Sequence, residues 1–211
     1  SLCCANNPGM VGELDDYGRL KTPDVHAEVF KQLTDSLKIS KVTEVDFSSC
    51  GIGPVALGHL SDWVRDATGA INLLTLGSTG NMRDQKTYTL TAGEEKIDLS
   101  QKNLGSADVT LLTSWLQRPE VTGAVTSINC LANKFGDDDL ATLVAAIEGT
   151  SVRSLCGLTE GQTTADFSGQ NLGPMDCKII AAEYGFQGFI AAVDSIVLSG
   201  NELGSIAHGG S

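Results

Sequence analysis

Apolar residues recur along this chain in alternating pairs, each followed by a short polar stretch, one more apolar residue and a glycine. Residues 42–55 read VTEVDFSSCGIGPV, 94–108 read EEKIDLSQKNLGSAD, 125–139 read VTSINCLANKFGDDD, and 193–206 read VDSIVLSGNELGSI. DFSGQNLGPMD at 166–176 has the same form, and SLCCANNPGM at the start fits its first half. Within each pair, as in Ile196 and Leu198, the period of two predicts a short strand with apolar side chains inward and one residue outward. The glycine then allows a tight turn. After it the period lengthens. Leu57, Leu60 and Val64 share one side of a helix, as do Val109, Leu112 and Leu116. So do Leu140, Leu143, Val144 and Ile147, and then Cys177, Ile180 and Tyr184. Ser, Asp or Pro opens each of these segments, as helix starts favour. Upstream, Val25, Val29, Leu33 and Leu37 predict a helix of the same kind.

A strand, a turn and an amphipathic helix of about three turns thus repeat. The unit resembles the leucine-rich repeat of the ribonuclease-inhibitor-like type, whose LxxLxLxxNxLG signature is closely matched by VDSIVLSGNELG. The string around 155–176 is similar to irregular repeats of unicellular eukaryotes. The resemblance implies an α/β solenoid of horseshoe-like shape, a single domain over 1–211 with a concave parallel sheet and outer helices. Asn133 and Asn201 occupy the signature's Asn position and are expected to satisfy backbone groups of the neighbouring turn. Cys50, Thr79, Lys102 and Gln170 stand there in other units. Repeats of this class run roughly 20–29 residues, and two intervals leave no helical stripe. Leu74 to Ile97 encloses GSTGNMRDQKTYTLTAGEE, and Leu155 and Ala165 enclose only CGLTEGQTT. Both repeats are expected to lack the outer helix.

Composition narrows the function. Aromatics are 5% of the chain, so the core must be mainly aliphatic. A net charge of −12 repels phosphate backbones and anionic lipid surfaces, so nucleic acid is not an expected partner. A protein with a basic or polar surface is. No apolar run approaches the roughly 20 residues that span a bilayer, and no membrane insertion is expected. Cys3, Cys4, Cys50, Cys130, Cys156 and Cys177 form no CxxC pair. They read as free thiols of a reducing intracellular compartment, cytoplasm or organelle. The start at Ser1, without Met or a signal-peptide pattern, reads as processed or truncated.

Candidate chemistry is sparse. SGQNLGP at 168–174 lacks GxxxxGK[ST] and GxGxxG, and Pro174 removes a donor where an anion would need one. His26 and His59 fall on predicted helices and His208 in a Gly-rich tail, none beside a nucleophile motif. Asp137, Asp138 and Asp139 complement a helix N-terminus and lack the alternating spacing of a calcium loop. LDDYGR at 14–19 reads alike. Hence no catalytic residue, no metal and no cofactor is expected.

The outward strand residues are the candidates. Asp46, Thr75, Asp98, Asn129, Cys156, Asp166 and Val197 lie between pair members, flanked by Glu44, Ser48, Lys96, Ser100, Leu131 and Ser168. Strands stacked about 4.8 Å apart would place them in one mildly acidic row. The expected partner-binding set is Glu44, Asp46, Thr75, Lys96, Asp98, Asn129, Leu131, Asp166 and Val197. The implied function is a non-catalytic protein–protein interaction module or scaffold, a subunit of a larger assembly. The alternative is a regulator of a partner enzyme, since related repeat proteins inhibit nucleases or activate GTPases.

Overall fold

The apolar pairs become very short strands, because each offers only two inward side chains before its polar turn. The computed structural model describes residues 1–204; Ile206 and His208 of the sequence reading lie outside them. The chain opens with β1 (Leu2–Cys3), the hairpin β2 (Glu13–Leu14) and β3 (Leu20–Thr22), then α1 (Ala27–Leu37). There follow β4 (Glu44–Asp46), α2 (Pro54–Asp66), β5 (Leu73–Gly77), β6 (Thr87–Thr91) and β7 (Lys96–Asp98). Next come α3 (Ser106–Leu116), the one-turn α4 (Pro119–Thr122), β8 (Ser127–Asn129) and α5 (Asp137–Ile147). The described chain closes with β9 (Thr164–Asp166), α6 (Pro174–Gly185) and β10 (Ser195–Val197).

These strands do not join into one concave parallel sheet, and the horseshoe-like solenoid expected from the sequence is not what forms. Among the described residues the fold is mixed α/β with four small separate sheets. Parallel β1, β4 and β5 share the register Leu2, Val45, Leu74, but β6 closes that sheet by pairing antiparallel with β5. Among the described residues β7 pairs only with β8, β9 only with β10, and β2 only with β3. The first break has a direct cause. A strand has two hydrogen-bonding edges; β4 takes one edge of β5 and β6 takes the other, so none is left for β7. Tyr88 and Leu90, both buried, are the period-two signal that makes β6 a strand. At the second break the chain bends at Gly157 (φ +77°), making only isolated bridges from Ser127 to Ser154 and from Asn129 to Cys156. The two intervals without a helical stripe carry no α-helix: the first holds a 3-10 turn at Met82–Asp84 and β6.

Two helices keep only part of the face their stripes predict, with Leu37 and Ile180 buried as expected. α1 buries Ala27, Phe30, Thr34 and Leu37, while Val25 and Val29 are exposed. Phe30 meets Phe47 edge-on with ring centroids 5.2 Å apart, and that contact sets the rotation of the helix. In α6, Glu183 is fully buried and Tyr184 is 49% exposed, because Glu183 must reach a turn that needs an acceptor. α2 and α3 keep their predicted faces, with Leu57, Leu60, Val64, Val109, Leu112 and Leu116 all buried.

Buried acids tie neighbouring units together. Gly105, Gly136 and Gly173 precede α3, α5 and α6, and their N–H groups donate to Asp108, Asp139 and Asp176 three residues on. Each of these acids also reaches backwards. Asp108 accepts from the Thr79 N–H and hydroxyl and from the Tyr88 hydroxyl, Asp139 from the Ser106 hydroxyl, and Asp176 from the Ala132 N–H. Buried backbone donors need such partners. The Asn positions act likewise: Asn133 Nδ2 donates to the carbonyls of Leu99 and Cys130, and Asn201 Nδ2 to those of Phe167 and Leu198. Cys50 takes the same place by turning its thiol to the Cys4 carbonyl at 2.9 Å.

Candidate functional site

The outward strand positions form separate pairs, since the sheets themselves are separate. Asp46 is in register with Thr75, Asp98 with Asn129, and Asp166 with Val197. The aspartates recur because each holds its own turn. Asp46 Oδ1 accepts from the Ser48 N–H at 2.9 Å and hydroxyl at 2.7 Å, and Asp98 Oδ1 from the Ser100 N–H at 3.0 Å and hydroxyl at 2.7 Å. Asp166 Oδ1 accepts from the Ser168 N–H at 2.9 Å. This is the local turn that Asp favours, and it leaves the second carboxylate oxygen of each without a partner among the described residues. Hydrogen bonding from Ser168 holds the Asp166 carboxyl below the usual carboxylate range.

One place gathers several candidates. Lys96, Asp98, Ser127, Asn129 and Gly157 surround a hollow of about 180 Å³ over Ile97. The bend after Cys156 shapes it. A Cβ on Gly157 would stand 3.0 Å from the Asn129 Cβ, so glycine permits both the positive φ and the close approach. Lys96 and Asp98 lie two residues apart on one strand and so share a face. Both are exposed, and Lys96 has no ion-pair partner among the described residues. The hollow therefore offers a cation, a carboxylate oxygen and an amide within one short span.

Other expected members are placed differently. Leu131 is fully buried and leaves the binding set. The other units carry Ser48, Ser100 and Ser168 at this position; an aliphatic side chain there gains roughly 1.5–3 kcal/mol by entering the core. Cys156, taken as outward, is buried as well. Thr75 is half-buried, its hydroxyl 3.1 Å from that of Thr89 across β6, and Val197 is half-buried on β10. Glu44 is exposed in β4.

Other reactive groups serve the structure. Burial pushes the Cys50 thiol up to about 11 and the Cys130 thiol to about 12, and raises that of Cys156 well above its ordinary value. Thiols so raised hold little thiolate at neutral pH. His26 is exposed at the start of α1, and His59 Nε2 lies 3.6 Å from Glu28 Oε1. Asp137 pairs with Lys178 at 2.6 Å. Asp15 of LDDYGR accepts from the N–H groups of Tyr17 and Arg19 in the β2–β3 turn. Among the described residues no three His, Cys, Asp or Glu side chains group as a metal ion would require. No described helix is long and apolar enough to cross a membrane.

Sequence reasoning missed the buried Glu183 and Arg118. Glu183 Oε1 accepts from the Ser154 hydroxyl, the Leu155 N–H and the Cys156 N–H, so an acid on α6 stands in for the partners that the turn lacks. The one available signal is that its Glu falls on the helical repeat with Ile179 and Ile180. No protein-family model and no curated protein matches this chain.

Proposed function

We propose that the chain is a non-catalytic protein-interaction module, a scaffold subunit that engages a basic or polar partner through the strand-bearing face. The observation that carries this reading is the hollow at Lys96, Asp98 and Asn129, where donor and acceptor groups meet at the surface. Elsewhere Asp108, Asp139, Asp176 and Glu183 are drawn into caps and a core turn, and Cys50, Cys130 and Cys156 into the core. The net charge of −12 favours approach of a basic partner. The likeness of single units such as 193–204 to leucine-rich repeats belongs to this proposal as a statement about local sequence alone. Charge reversal tests it. Asp98→Lys with Asp166→Lys should weaken recovery of the partner cross-linked in a native extract by about tenfold or more, with a smaller loss for Glu44→Lys. Recovery that is unchanged in both the double variant and Glu44→Lys, each folded by circular dichroism, refutes the reading.

A further inference from the structure

α5 and α6 are tied near their N-terminal ends by Lys178 Nζ and Asp137 Oδ1, 2.6 Å apart. At their C-terminal ends a groove of about 420 Å³ opens between them. Val144, Ile147, Val152 and Phe186 supply its apolar lining, and Glu148 and Arg153 its charges. The interval without a helix accounts for it: the unit around Leu155 sends no helix to the outside, so α6 follows α5 directly.

Arg153 is held at the edge of this groove. Its Nη1 donates to the carbonyls of Thr150 at 3.0 Å and Val152 at 2.8 Å, and its own carbonyl accepts from the Phe189 N–H at 2.8 Å. The side chain is exposed and has no carboxylate partner among the described residues.

At the end of α2 a buried arginine that binds backbone carbonyls, there across a longer stretch of chain, also has an acid partner. There Arg118 donates from Nη1 to the Val64 carbonyl and from Nη2 to the Gly69 carbonyl, both at 2.6 Å, while its Nε meets Glu120 Oε1 at 2.7 Å. Glu120 is carried by the first turn of α4, where the helix dipole favours an acid. At the α5–α6 groove the arginine, the carbonyls it binds and an apolar floor are present; among the described residues the acid-bearing helical turn is not.

We propose that this groove is a second interaction surface that receives an amphipathic helix of a partner protein. Aliphatic side chains of that helix lie on the half-buried Val144 and Phe186, and a carboxylate pairs with the free edge of the Arg153 guanidinium. A guanidinium fork suits a carboxylate, and an apolar helix face suits a groove of this form. The surface is separate from the strand-bearing face, and either can fail alone.

The test selects displayed helix-forming peptides of about 15 residues, long enough to hold a helix, on the whole chain. Enriched peptides should carry aliphatic residues three or four apart with Asp or Glu one turn away. Their affinity, read by fluorescence anisotropy, should fall about tenfold or more on Arg153→Glu. It should rise on Glu148→Lys and stay unchanged on Asp98→Lys. Peptides whose acid is changed to Lys should prefer the Arg153→Glu chain. Failure to enrich helical peptides, enrichment without an acid, or loss of binding on Asp98→Lys would each overturn the proposal. Should Arg153→Glu not fold, Glu148→Lys decides alone, and an affinity that does not rise rejects it.

Discussion

Replacing Glu183 by alanine should open the core turn at residues 154–156. Its Oε1 accepts from the Ser154 hydroxyl and the Cys156 N–H, each at 2.7 Å, and from the Leu155 N–H. The residue is fully buried, so water cannot take its place while the turn stays closed. Each buried donor left without a partner costs about 1–3 kcal/mol. Three together, partly relieved by relaxation, put the loss at about 3–5 kcal/mol. Against a total of about 5–15 kcal/mol, urea unfolding would register this as a large drop in midpoint. Glu183→Gln keeps one carbonyl acceptor and should lie nearer the wild type. The local readout is Cys156, which is buried beside this turn and should become open to thiol reagents in the alanine variant. An alanine variant that loses less than about 1 kcal/mol while Cys156 stays protected would refute the reasoning. A glutamine variant as unstable as the alanine one would refute it too.

Three further outcomes follow. Burial raises the Asp108 carboxyl above its ordinary range, against opposing hydrogen bonds from Gly105, Thr79 and Tyr88. A raised carboxyl contributes stability that is full below its unfolded value and lost as pH rises through its folded one. The wild type should therefore lose stability relative to Asp108→Asn as pH rises from the acid range toward neutrality, read as urea midpoints across pH. Asp24 accepts from the N–H groups of Gly53, Val55 and Ala56 at the start of α2, so Asp24→Ala should cost about 1–2 kcal/mol in the same assay. Asp24→Asn, which tolerates the φ of 65°, should cost less. Alkylation of the native chain, mapped by mass spectrometry, should modify exposed Cys3 first and spare Cys50 and Cys130.

The local units were legible because one alternation decides them. Val45 with Phe47, Leu74 with Leu76, Ile97 with Leu99 and Ile128 with Cys130 are all buried as the pattern requires. The joining of units into sheets was not legible. It depends on which edge of β5 is occupied, and TYTLT, which lacks a helical stripe, has the period of two that makes a strand. Helix rotation failed where a contact outweighed the stripe: Phe30 on Phe47 in α1, and Glu183 on residues 154–156 in α6. Of the candidate surface, Lys96, Asp98 and Asn129 do come together at one hollow. Leu131 did not follow because apolar burial outweighs strand position. The aspartates kept their places for a reason the row did not foresee, the serine two residues ahead of each.

The carboxylates of Asp108, Asp139 and Asp176 give the chain a folding polarity. Each sits at the head of a later helix yet completes a donor in an earlier segment: Thr79, Ser106 or Ala132. Asp176 reaches past the whole of residues 137–165 to do so. An N-terminal fragment cut before any of these helices loses an acceptor that an earlier segment relies on. Separate sheets are therefore no guide to where the chain can be divided. Fragments that end before Gly105, Gly136 or Gly173 should be less stable than their core content suggests, and unfolding that begins at the C-terminal end should undo the units in order.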